Sequence, residues 1–126
     1  MTTVFLRQSA AAVLALAFLA MPSWAETRLL MAEEPGCMWC ARWHAEIGPI
    51  YPKTSEGSAA PLRRINLRDP LPEDIKLARR VTFTPTIVLQ VNATERNRIE
   101  GYPGEDFFWG LLGQMLGQEG INFALK

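Results

Sequence analysis

The sequence is poor in cysteine and histidine: 126 residues hold Cys37, Cys40 and a single histidine, His44. Two cysteines exclude a scaffold stapled by several disulfides, and without a second cysteine pair a four-ligand structural zinc site is incomplete. Charge of one sign is also lacking, because 13 basic residues face 13 acidic ones, so nothing electrostatic points to nucleic acid. There are no internal repeats or low-complexity tracts, and 48% hydrophobic content suits one small globular domain rather than a disordered chain. No apolar run reaches the ~20 residues that a membrane-spanning helix needs.

The longest apolar run, "SAAAVLALAFLAM" (Ser9 to Met21), follows Arg7 and precedes Pro22 and the small-x-small signal "SWA". A positive start, a short apolar middle and such a cleavage site describe a secretory signal peptide. Residues 1–25 are therefore expected to be removed, leaving a domain of residues 26–126 in the periplasm. Twelve basic and thirteen acidic residues then remain, a formal charge of minus one. An oxidising compartment permits a stable disulfide.

In the mature chain, "RLLMAE" (Arg28 to Glu33) reads as a buried strand running into the turn "EPG". The spacing from Cys37 predicts a helix that ends or kinks at Pro49 and Pro52, and Tyr51 to Pro61 reads as a loop with room for one irregular helical turn. "LRRINL" (Leu62 to Leu67) is a second strand. In "DPLPEDIKLARRV" (Asp69 to Val81), acids precede bases in the order that complements a helix dipole, which predicts a helix with Leu71, Ile75, Ala78 and Val81 inward. "TPTIVLQV" (Thr84 to Val91) is the strongest strand signal. Asn92-Ala93-Thr94 matches a glycosylation sequon but reads as a hairpin turn into the polar edge strand "ERNRIE". After "GYPG", a last helix should bury Phe107, Leu111 and Met115, with Phe108, Leu112 and Leu116 beside them. This order predicts a mixed sheet with helices on both faces.

Cys37-Met38-Trp39-Cys40 decides the chemistry. Haem attachment requires histidine after the second cysteine, where Ala41 stands. Cys37, Cys40 and His44 supply only three ligands for zinc or copper, and a bridge over two residues removes little unfolded-chain entropy. A redox couple fits better: a cysteine at a helix N-terminus is favoured as thiolate. Cys37 would attack a substrate disulfide and Cys40 would resolve the mixed disulfide, with no cofactor and no metal. Glu33, Glu34 and His44 are near in sequence and could serve proton transfer, but each reads more simply as solvated surface. Thr84-Pro85, opening a strand, can leave backbone groups free to pair with an extended peptide.

A strand, "CMWC" at a helix start, Thr-Pro before a buried strand, a hairpin and a final helix resemble the thioredoxin superfamily. "EEPGCMWCARWHAEIGPIYPKTSEG", "APLRRINLRDPLP", "FTPTIVL" and "RIEGYPGEDFFWGLL" resemble, more closely, the small periplasmic thioredoxin-like proteins of bacterial sulfur-oxidation (Sox) systems. The resemblance implies an α/β thioredoxin-like fold, a central mixed four-stranded sheet flanked by helices. It also implies a cis Pro85 packed against Cys37 and Cys40, with Thr84 in backbone contact with substrate. The implied role is reduction of a blocked cysteine on a sulfur-carrier protein. A reductant in an oxidising periplasm needs electrons from a membrane donor, and the chain is expected to act as a monomer. The chain departs from ordinary thioredoxin at Met31, where a buried acid is usual, and at Met38-Trp39, an apolar pair able to select a partner. Two rival functions stay open: an oxidant or isomerase for secreted proteins, and a non-enzymatic metal-binding or partner-binding module.

Overall fold

A computed structural model describes residues 25–123; the expected signal peptide, apart from Ala25, lies outside them. Along the chain run β1 (Thr27–Glu33), α1 (Met38–Glu46), a 3-10 turn (Tyr51–Lys53), α2 (Ser55–Ala59), β2 (Leu62–Asn66), β3 (Thr86–Val91), β4 (Thr94–Glu100) and α3 (Glu105–Gln118). The strands form one mixed sheet in the order β2-β1-β3-β4, with β1 parallel to β2 and the other pairs antiparallel. The two central strands, β1 and β3, are buried on both faces, which is why they read as continuous apolar runs.

Alternation along the strands divides the core in two. Leu29, Met31, Ile87, Leu89 and Ile99 face α1 and α3, where Trp43, Tyr51 and Phe108 form an aromatic centre. Leu30, Ala32, Ile65 and Val88 face the other way. Both longer helices thus pack on one face, and the expectation of helices on both faces is corrected.

The opposite face is covered by an irregular strap where a helix over 69–81 was expected. Its backbone groups go to the sheet: Lys76 N–H donates to Ala93 O at 2.9 Å, Glu95 N–H to Lys76 O at 2.9 Å, and Ala78 N–H to Glu95 Oε2 at 2.7 Å. Pro70 and Pro72 deny the segment amide donors at its start. The charges that suggested a helix dipole make tertiary pairs instead, Asp74 with Arg63 and Arg79 with Glu100. Ile75 is buried and Val81 packs beside it as expected, joined by Leu77, while Leu71 and Ala78 are exposed.

The last helix exists as expected, but its inner stripe is Phe108, Leu112, Met115 and Leu116. Phe107 is 72% exposed and Leu111 also faces solvent. The unbroken apolar run from Phe107 to Leu112 leaves two stripes possible, and the aromatic centre under α1 selects the one led by Phe108.

Arg98 of β4 anchors the strap, bonding Glu95 at 2.5 Å and the carbonyl of Arg79 at 2.8 Å. Both charged side chains of that pair are 4% exposed, and removing one partner of a buried pair leaves the other uncompensated. Arg98→Ala should therefore cost about 3 kcal/mol, read as a lower urea midpoint, with faster hydrogen exchange at Lys76 and Ala78. An unchanged midpoint would contradict the anchoring role.

Candidate active site

β1 ends at Glu33, the turn Pro35-Gly36 follows, and α1 begins. Gly36 has φ +82°, a backbone region that disfavours any residue with a Cβ. Cys37 then sits at the N-cap of α1 in extended conformation (φ −73°, ψ 107°), and its Sγ accepts the Cys40 N–H at 3.1 Å. No acidic residue occupies the first turn of α1, so the positive end of the helix dipole acts on the Cys37 sulfur undiminished by a local carboxylate.

The two sulfurs are joined in a disulfide, with Cα atoms 5.2 Å apart. Their surroundings differ: Cys37 is half-buried, whereas Cys40 is 4% exposed and belongs to the core cluster with Met31 and Trp43. Among the described residues, no group of three His, Cys, Asp or Glu side chains is placed to hold a metal ion.

β3 pairs antiparallel with β1, matching Thr86 to Ala32, so the start of β3 lies at the end of the sheet from which β1 leads to Cys37. The Thr84–Pro85 peptide bond there is cis, and Pro85 is buried, its carbonyl accepting the Gly101 N–H at 2.7 Å. Thr84 Oγ1 donates to Glu34 Oε1 at 3.4 Å, tying this turn to the cysteine turn. Among the described residues, the backbone N–H and C=O of Thr84 take no hydrogen bond. Met38 is 74% exposed, and Trp39 is exposed with the Arg42 guanidinium 5.6 Å from its ring centre. Phe83, also exposed, adds an apolar group at the same end; as a lone aromatic outside any periodic pattern it gave no sequence signal.

Glu33 and His44 are not free surface, contrary to the simpler reading, whereas Glu34 is exposed as that reading expects. Glu33 is half-buried, accepting His44 Nε2 at 2.7 Å and a close hydrogen bond from Arg64. Burial pushes the Glu33 carboxyl upward, but the bonds from Arg64 and His44 outweigh it and hold the group below its ordinary 4.5. Further along α1, Tyr102 donates its hydroxyl to Glu46 at 2.5 Å, and Arg42 donates to the same carboxylate at 2.8 Å.

A mixed sheet of this order, a two-residue-spaced disulfide at a helix start and a buried proline turn at the same end define a thiol–disulfide oxidoreductase of thioredoxin-like fold. No protein-family model and no curated protein matches the chain. Among solved structures, the reduced form of the periplasmic thioredoxin SoxS from Paracoccus pantotrophus matches at 61% identity, over 75% of this chain and 99% of that one, with a TM-score of 0.73. The chain belongs to the thioredoxin superfamily, alongside that Sox thioredoxin.

A carboxylate whose folded value is lowered contributes stability that is full above its ordinary value and lost as pH falls through the lowered one. Glu33→Gln should accordingly cost about 1 kcal/mol at pH 7, measured by urea unfolding. The gap to wild type should close below the ordinary value of 4.5. A gap that is constant with pH would contradict the ion-pair assignment.

Proposed function

We propose that this protein is a periplasmic dithiol reductase, exported by the signal peptide 1–25 and working as the domain 26–126. The observation that carries the reading is the asymmetry of the sulfur pair. Cys37, at the helix N-cap and partly open to solvent, is the sulfur a partner can reach; Cys40, in the core, is reachable only by Cys37. In the reduced protein, Cys37 thiolate attacks a disulfide on the partner, a mixed disulfide forms, and one partner thiolate leaves. Cys40 then attacks the Cys37 sulfur, the second partner thiolate leaves, and the Cys37–Cys40 disulfide is restored.

Thr84 and Pro85 receive the partner chain, the unpaired N–H and C=O of Thr84 bonding an extended segment as a strand edge would. Met38 and Trp39 offer apolar surface to the residues flanking the partner's cysteine. The partner is a sulfur-carrier protein of thiosulfate oxidation with a blocked or oxidised cysteine, supported by the resemblance to Sox-system proteins and by the likeness to a periplasmic thioredoxin named SoxS. A membrane dithiol donor returns two electrons to Cys37–Cys40 after each turnover. The working unit is a monomer.

Cys40→Ser should trap the partner on Cys37 as a stable mixed disulfide, recovered from periplasmic extract and identified by mass spectrometry. Cys37→Ser should trap nothing. Recovery of adducts with many secreted proteins and none with a sulfur carrier would overturn the assigned partner.

The direction of electron flow has its own measurement. A reduction potential near ~ −270 mV fits a reductase, and one near ~ −120 mV would make the protein an oxidant of secreted thiols.

A further inference from the structure

Resolution requires the Cys40 thiol to lose its proton before it attacks, because the thiolate is the nucleophile. The thiol stands in a core cluster with Met31 and Trp43, where water has little access. At the position beneath it the strand supplies no acid or base, because Met31 there is fully buried and apolar.

One titratable group stands a turn away on the same helix. Residues four apart on a helix are neighbours, and a helical side chain leans back over the turn before it. His44 is so placed relative to Cys40. Its Nε2 lies 2.7 Å from Glu33 Oε2 at the end of β1, the strand that leads into Cys37. An ionised carboxylate only accepts, so Nε2 carries the hydrogen, and Nδ1 of the neutral ring is left as a proton acceptor. The lowered value of Glu33 agrees with its being ionised.

Arg64 of β2 grips the other carboxylate oxygen. The charged groups facing His44 from the sheet are thus Glu33 and, across it, Arg64. On α1 the Trp43 ring meets the imidazole edge-on, while Arg42 and Glu46 are engaged with each other and Tyr102.

We propose that His44 takes the proton of the Cys40 thiol during resolution, with Glu33 and Arg64 as positioning residues: Glu33 holds the imidazole at Nε2, and Arg64 fixes the Glu33 carboxylate. This rests on the dithiol-reductase reading above. In the step, the Cys40 S–H bond breaks and an N–H bond forms on His44. The Cys40 thiolate attacks Cys37 Sγ, the Cys37–Cys40 bond forms and the Cys37–partner bond breaks with its electron pair passing to the partner sulfur. The imidazolium returns its proton to that leaving thiolate. Two electrons have moved from the dithiol to the partner, and His44 is neutral again.

The test mixes reduced protein with glutathione disulfide as probe, quenches with acid, and follows the mixed disulfide by mass spectrometry between pH 5 and 9. His44→Gln keeps a donor for Glu33 but cannot accept a proton at neutral pH. It should leave formation of the mixed disulfide within about twofold and slow its resolution about 100-fold at pH 7. The slowed rate should rise with pH and be partly restored by added imidazole. Glu33→Gln should slow resolution severalfold at pH 7 while leaving formation of the mixed disulfide within about twofold, because the imidazole loses its carboxylate anchor, and added imidazole should relieve the slowing in part.

Wild-type resolution rates and profile in His44→Gln would overturn the proposal, as would equal slowing of both steps. If His44→Gln does not fold, the Glu33→Gln rates decide, and unchanged resolution in that variant overturns it. A wild-type protein that forms no mixed disulfide at all would instead bring down the reductase reading itself.

Discussion

The first amides of α1 have no carbonyl partners within their own helix, and Cys37 is seated where it meets one of them. Much of the site follows from that placement. A sulfur at the N-cap lies in the positive field of the helix and near solvent, and a sulfur three residues on is carried into the core. The turn that delivers Cys37 depends on Gly36 adopting a backbone angle closed to other residues. The antiparallel pairing of β1 with β3 then sets Thr84 and Pro85 at the same end. Chemistry and partner surface are therefore products of one junction, where a central strand hands the chain to a helix.

Much of this was legible in the sequence because it is local. The apolar runs of β1 and β3, the turn "EPG" and the cysteine spacing are short-range signals, and the structure places strands, helix and disulfide on them. The turn at Asn92 and Ala93, both with positive φ, sits where the polar tripeptide suggested a hairpin. What could not be read depends on partners distant in the chain. The charges of 73–80 fit a helix dipole equally well until β2 brings Arg63 to Asp74 and β4 brings Glu100 to Arg79. His44 and Glu33 are 11 residues apart and Glu33 and Arg64 are 31 apart, so no sequence window joins them. The choice between Phe107 and Phe108 was likewise settled by packing, since Phe108 meets Trp43 edge-on and Phe107 meets nothing comparable.

The two faces of the sheet are held by different forces. Beneath the helices, Trp43, Tyr51 and Phe108 pack in tilted and edge-to-face contacts that bury large apolar areas. On the other face a smaller apolar layer is closed by backbone hydrogen bonds and the Arg98–Glu95 pair. The cysteine helix belongs wholly to the first face, where Tyr102 also holds the carboxylate of Glu46 at its far end. Met31 belongs to that same layer, so the carboxylate nearest the sulfurs on β1 is two residues further on, at the rim, where cations can reach it.

The strap has a consequence for the outer boundary of the sheet. β4 is an edge strand, and unpaired strand edges invite association with other chains. Lys76 lies against Thr94 in a parallel bridge, occupying the carbonyl of Ala93 and the amide of Glu95 that point away from β3. Beyond this bridge the strand presents the charged Arg96 and Glu100, while Arg98 is turned under the strap. A segment too rich in proline to be a helix thus blunts the edge that would template aggregation.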